Sequence, residues 1–235
     1  MRPTERRREF LHTEGYLIVR NFFPVGEISH ARAGQDAFYQ GLSNRTPEFK
    51  WPHPRPCKSR TRKHPYASFF RTEFASLLRD GRLAKLIRET FPLEQVRFWH
   101  DQLIYDEPRT SGKIKYHWHR EESRWLTCAA QKMLTAWIPL IDFTPEMGPI
   151  TIMAREQPRR MILNAGDLVL FDSHTLHGNP PNYGMQPRCA LAAHYASADL
   201  TYQSSGTFSH VNERVVRQIN GLPDFQDPAV CPIVS

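Results

Sequence analysis

Residues 116–125 read YHWHREESRW, with His117, His119 and Glu121 at every second position. On an extended strand, side chains at i, i+2 and i+4 leave on one side. The spacing therefore sets three candidate metal ligands side by side. Two of them, joined by one ligand from another strand, make the 2-His-1-carboxylate face that suits non-haem Fe(II). Downstream, GDLVLFDSHTLHGNPPN (166–182) offers His174 and His177 as the missing ligand. From spacing alone, histidines held by structural hydrogen bonds are the commoner case, and both readings stay open at this point.

The surrounding texture is that of short strands. From Val96 onward VRFWHDQLIY, KIKYHWH, LTAWIPLI, PITIM, MIL, DLVLF and CALAAHY alternate with the turn-like PEMG, NAGD and NPPNYG. Regular short strands of this kind predict a β-sandwich or barrel. Ahead of them, Thr4 as N-cap and Gly15 as stop predict a short helix, followed by apolar YLIV (16–19) and a second helix after Pro24. Phe74, Leu77 and Leu78, then Leu83, Leu86 and Ile87, predict two helical pieces broken near Asp80-Gly81. Residues 44–66 are proline-rich and basic without periodicity, which predicts a long loop. The expectation is one domain over 1–235: helices in about 1–95, a β-core over about 96–200 and a C-terminal extension over 201–235.

Composition narrows the class. With 40% hydrophobic residues in 235, the chain can bury a core. MRPTERRREF lacks the apolar centre of a secretory leader, and MLTAWIPLI (133–141) is too short for a membrane span. Four scattered cysteines without a CxxC pair predict reduced thiols and a cytoplasmic protein. The net charge of +7 is concentrated: residues 1–66 hold 13 Lys/Arg against 6 Asp/Glu, and the remaining residues hold 18 of each. Seven of those cations lie between Arg45 and Lys63, opposed by Glu48 alone. Such a segment is either a solvated loop or an anion-binding lid over a site. Few aromatics (Phe49, Trp51, Tyr66) accompany its charges, so nucleic acid is not the expected partner.

WHREESRW (118–125), LTAWIPLIDFTPEMGPITIM (134–153), AGDLVLFDSHTLHGNPPN (165–182) and RCALAAHY (188–195) resemble, in order and spacing, the phytanoyl-CoA dioxygenase family. FLHTEGYLIVRNFFP (10–24) resembles that family's opening. The likeness covers most of residues 10–200 and is weakest over 44–66 and after 200. It implies a mainly β fold with flanking helices around a double-stranded β-helix, or jelly roll. It also implies an enzyme that uses Fe(II), 2-oxoglutarate and dioxygen on a small-molecule substrate.

Carried over by position, the metal ligands are His119, Glu121 and His177, and Arg188 holds the far carboxylate of 2-oxoglutarate. Trp137 and Gln102 fall where relatives touch the co-substrate, although core packing and a satisfied amide explain them as well. His117 is left for packing or hydrogen bonding, and His174 faces elsewhere. Two departures stand out. The family's aspartate is Glu121 here, and its Gly-Ser-His segment is replaced by ITIMAREQ after Met147-Gly148. The resemblance implies hydroxylation first, with cyclisation, desaturation or epimerisation open to the same chemistry. By analogy, a compact chain with a divergent rim segment suits natural-product tailoring. The competing readings are a cupin-like metal-binding protein and a non-catalytic jelly-roll binding protein. A carboxylate at position 121 argues against a halogenase, which needs that coordination site open.

Overall fold

The structure, a computed structural model, describes residues 3–109, 117–204 and 210–234. Helix α1 (Pro3–Glu14) ends at Gly15, whose φ of 79° is the left-handed conformation that lets the chain reverse directly into β1 (Tyr16–Val19). Helix α2 (Val25–Tyr39) follows, then β2 (Thr61–Pro65), α3 (Thr72–Leu78) and α4 (Gly81–Thr90). Asp80 caps α4 by accepting from the Arg82 backbone N–H at 2.6 Å, which is why the apolar periodicity breaks there. Beyond α4 come β3 (Val96–Asp106), β4 (Cys128–Ala129), β5 (Met133–Pro139), β6 (Thr151–Ala154), β7 (Gln157–Arg160) and β8 (Leu168–Asp172). The chain finishes with β9 (His177–Gly178), β10 (Arg188–Ser197), β11 (Thr201–Tyr202), β12 (Gln218–Ile219), β13 (Leu222–Pro223) and β14 (Ile233–Val234).

The larger sheet runs β1-β8-β5-β10-β3-β14, with β2 also paired to β3, and every pairing in it is antiparallel. A smaller sheet, β7-β6-β9, faces it. Strand alternation explains the layers. Leu191, Ala193 and Tyr195 of β10 pack with the helices, while Ala190 and Ala192 pack with Ile150, Ile152 and Leu163 behind the smaller sheet. Strand β5 divides likewise, with Leu134, Ala136 and Ile138 on the helical side and Trp137 on the other. Two facing antiparallel sheets with helices against the outer face of one make the expected jelly roll.

The β3–β10 register breaks once. His194 pairs with His100 and Tyr195 with Phe98, so Trp99 is the extra residue of a bulge. Below the bulge His100, Gln102 and Ile104 share the inner face. Above it, Phe98 turns to the helical side against Tyr195, at 5.8 Å between ring centroids.

Several expectations need correction. The basic segment is irregular only to Arg60. Residues 61–65 are a strand, and Arg62 is clamped between the Tyr39 and Tyr105 rings, 4.5 and 3.9 Å from their centroids. MIL (161–163) forms no strand, whereas the unforeseen β7 does, turned by Arg155 and Glu156 at φ 45° and 62°. Of the expected strand KIKYHWH, residues 113–116 lie outside the described residues, and 117–119 carry only a single bridge from His119 to His177. The C-terminal segment also does more than extend the core. Asn212 accepts from the Tyr66 hydroxyl at 2.5 Å and donates to the Trp99 carbonyl at 2.8 Å, while Phe225, Cys231 and Val234 are buried. Among the described residues no helix is long and apolar enough to cross a membrane, and all four cysteines are free.

Candidate metal centre and adjoining cavities

His119 and His177 are locked together by reciprocal backbone hydrogen bonds of 2.9 and 3.0 Å across the two sheet edges. Arg120 remains extended at φ −114°, ψ 144°, so Glu121 leaves on the same side as His119 before the chain turns into a short 3-10 helix over Glu121–Ser123. The alternation argument thus holds for one step, and a tight turn rather than a continuing strand presents the carboxylate. One ligand atom each of His119, Glu121 and His177 lies within 4.8 Å of the others, and no other such group occurs among the described residues. Glu121 Oε1 stands 3.7 Å from His119 Nε2 and 3.5 Å from His177 Nε2.

Both imidazoles are oriented from behind. His119 Nδ1 donates to the His117 carbonyl at 2.8 Å, and His177 Nδ1 donates to the Thr175 carbonyl at 2.9 Å. A carbonyl can only accept, so each proton sits on Nδ1 and each Nε2 lone pair is left for a metal. Burial would raise the Glu121 carboxyl, but the adjacent His119 and His177 outweigh it and hold the group well below the usual carboxylate range. These donors fit Fe(II): two imidazole nitrogens and one carboxylate on one face.

Two cavities meet here. The outer one, about 420 Å³, is lined by Lys63, Asp106, Arg124 and Arg188 beside His119. The inner one, about 190 Å³, contains Glu121, His177, Gln102 and Trp137. Trp137 Nε1 is buried without a partner among the described residues, an unmet donor that a bound oxygen would satisfy. Arg188 is more constrained than expected. It donates to Asp106 Oδ2 at 3.1 Å, to the Pro180 carbonyl at 3.0 Å and to the Gly148 carbonyl, with Nε left unpartnered among the described residues.

Other candidates fall outside the centre. His174 is exposed and pairs with Glu122. Asp172 pairs with Lys132 at 3.0 Å and Asp167 with Arg20 at 2.6 Å. The His117 ring lines the outer cavity, and only its backbone carbonyl orients a ligand. Trp125 is buried, whereas Trp118 is half-buried. Lys63, the end of the basic segment, reaches both cavities, while sequence reasoning missed Arg124 and three buried histidines, His100, His194 and His210, on the inner wall. For His100 and His194 the signal was present: both lie on the inward face of their strands, in phase with Gln102 and Ala192.

The family model for phytanoyl-CoA dioxygenase matches residues 11–160, ending before His177 and Arg188. No curated protein matches the chain. Among solved structures, the non-haem α-ketoglutarate-dependent carbocyclase SnoK from nogalamycin biosynthesis superposes with a TM-score of 0.78 at 18% identity, over 98% of this chain and 96% of that one. The epimerase SnoN from the same biosynthesis gives 0.71 at 18%, over 94% and 98%. EctD from S. alaskensis with bound Fe gives 0.66 at 18%, over 84% and 78%. Those likenesses establish the fold. With the family model spanning well over half of the chain and the His119, Glu121 and His177 donors converging at its centre, the chain belongs to the phytanoyl-CoA dioxygenase family of Fe(II)- and 2-oxoglutarate-dependent enzymes.

Proposed function

We propose that the chain oxidises a C–H bond of a small polar or anionic molecule in natural-product tailoring, in the cytoplasm, with His119, Glu121 and His177 as the metal ligands. The observation that carries the reading is the convergence of three donor atoms beside a cavity with excess positive charge. When bound, Fe(II) and 2-oxoglutarate supply the oxidative decarboxylation that activates dioxygen for attack on an unactivated C–H bond.

The chain's own contribution is orientation and charge. The His117 and Thr175 carbonyls hold the two imidazoles in the ligating tautomer. Arg188, made rigid by Asp106 and backbone carbonyls, offers Nε–H to the far carboxylate of 2-oxoglutarate. Trp137 and Gln102 present N–H donors from the inner wall. The two cavities are lined by four cations (Lys63, Arg109, Arg124, Arg188) and two carboxylates (Asp106, Glu121). Fe(II) and the 2-oxoglutarate dianion cancel, so two positive charges remain uncompensated. Lys63 and Arg124 have no ion-pair partner among the described residues, which favours a substrate that brings negative charge.

The carbocyclase and epimerase of nogalamycin biosynthesis support the tailoring setting and keep cyclisation and epimerisation beside hydroxylation as outcomes. The test is succinate formation by Fe(II)-loaded protein across a panel of carboxylated, phosphorylated and neutral polyketide and amino-acid derivatives. Anionic members should stimulate turnover, and Arg124→Gln should abolish that preference. Equal stimulation by neutral members would overturn the charge argument, and absence of 2-oxoglutarate-dependent succinate throughout would overturn the oxygenase reading.

A further inference from the structure

The inner cavity ends in three imidazoles that the metal centre does not use. His100 of β3, His194 of β10 and His210 ahead of the last 3-10 helix are 3%, 3% and 8% exposed, yet all line the cavity. The His100 and His194 rings stack at 4.3 Å, and His210 stands 4.6 Å from His100. Trp99 stacks on His210 at 4.6 Å, and Trp125 closes edge-on against His194 at 5.1 Å.

Such a cluster is stable only uncharged. Burial is the first cause that lowers all three, taking His194 to about 4, His210 to about 3 and His100 well below its ordinary value. The tautomer of His210 follows from its partner: the Asn212 backbone N–H donates to His210 Nδ1 at 3.1 Å, so the remaining proton is on Nε2. That Nε2–H has no partner among the described residues. His194 Nδ1 is taken by the Thr135 hydroxyl at 2.9 Å, and His100 Nδ1 is buried and unpartnered among the described residues. The wall thus combines an unused donor, an unmet buried nitrogen and aromatic edges, without a charge. Nor is it a second metal site, because its nitrogens do not converge as those of the triad do.

We propose that this histidine wall recognises an uncharged oxygen function of the substrate, a hydroxyl or a ring carbonyl, with His210 Nε2–H as the donor. It rests on the oxygenase reading only in calling the occupant the substrate. The recognition chemistry stands on the wall itself. A charged group is excluded because three neutral rings cannot compensate it in a space this buried, whereas a neutral oxygen can accept from the free N–H that faces the cavity.

The test uses matched ring fragments (cyclohexanol, cyclohexanone, cyclohexanecarboxylate and cyclohexylammonium) titrated by NMR into the full chain, once metal-free and once loaded with Ni(II) and 2-oxoglutarate. The alcohol and ketone should bind and shift the His210 imidazole ¹⁵N–¹H signal, and the two ions, including any carboxylate held by Lys63 or Arg124, should leave that signal in place. His210→Phe should weaken the alcohol by on the order of tenfold, the value of one well-placed hydrogen bond in a dry site. His210→Gln, which keeps a donor and can still accept from Asn212, should restore most of that loss. An equal shift of the His210 signal by the ions, no fragment binding, or an unchanged dissociation constant for the alcohol in His210→Phe would each overturn the proposal. Failure of Ni(II) or 2-oxoglutarate to bind strikes the oxygenase reading alone, since the metal-free titration reads the wall directly.

Discussion

The Arg188–Asp106 pair separates an anchoring role for the arginine from a structural one. The side chains are 6% and 5% exposed, 3.1 Å apart, and tie the start of β10 to the end of β3. Replacing Arg188 by Met leaves the Asp106 carboxylate buried with the Thr61 hydroxyl at 2.6 Å and Arg109 at 3.8 Å as its remaining partners. Breaking a buried pair from one side costs about 3–5 kcal/mol, a large share of the roughly 5–15 kcal/mol that holds a domain folded. A single replacement of Arg188 would therefore depress activity through the fold alone.

The double variant Asp106→Asn/Arg188→Met removes both charges and should recover most of that stability in urea unfolding. Binding of 2-oxoglutarate to the Ni(II)-loaded protein, followed by calorimetry, then gives an unconfounded comparison. A charge-assisted hydrogen bond to a buried carboxylate is worth about 3 kcal/mol, so removing it should weaken the complex on the order of 100-fold. Asp106→Asn alone should bind at least as tightly as the parent, because the guanidinium is no longer shared with a competing carboxylate. If the double variant binds within about threefold of the parent, Arg188 is a structural strut and the co-substrate is anchored elsewhere.

His177→Ala should abolish stoichiometric metal binding, measured by elemental analysis, while the circular dichroism spectrum persists, whereas His174→Ala should leave metal content unchanged because that side chain is 67% exposed. Gly148→Ala should lower both stability and 2-oxoglutarate affinity: its φ is 63°, and a Cβ would strike the Pro180 and Pro181 carbonyls lining the Arg188 side of the outer cavity. Acid should destabilise the fold: with His194 depressed to about 4 from an unfolded value near 6.5, the unfolded state binds the extra proton, and stability present above pH 6.5 is lost towards pH 4, by roughly 3 kcal/mol for that residue. His210, at about 3, adds to the loss, while burial raises Asp101 to about 6 and opposes it by stabilising the protonated carboxyl at low pH. Two histidines outweigh one aspartate, so urea midpoints should fall between pH 7 and 4.5, and His210→Phe should flatten the slope.

What was legible in the sequence was whatever depends on neighbours along the chain. Most of the short strands, the Asp80 break and the step from His119 to Glu121 are local patterns that appear at their places, whereas MIL (161–163) forms no strand and 117–119 carry a single bridge. The choice of His177 over His174 and the role of the arginine were reachable only through resemblance, because nothing local says that His177 bridges to His119 or that Arg188 meets Asp106. Strand β2 was hidden because TRKHP looks like loop by composition. It is a strand because the edge of β3 supplies its hydrogen-bonding partners and Tyr39 and Tyr105 supply a stacking slot for Arg62.

The histidine wall was hidden for a different reason. His210 lies outside both strands that carry the other two rings, and its place depends on Asn212, which spans Tyr66 and the Trp99 carbonyl. Trp99 is itself the bulged residue, and the bulge lets it stack on His210 while His100 stays in phase with Gln102 on the inner face. A regular β3 would carry Phe98 inward and Trp99 outward and leave His210 without its stacking partner. The same irregularity that costs the sheet one ladder position thus forms the wall beside the metal. The C-terminal segment, an appendage by sequence, supplies the residue that closes it.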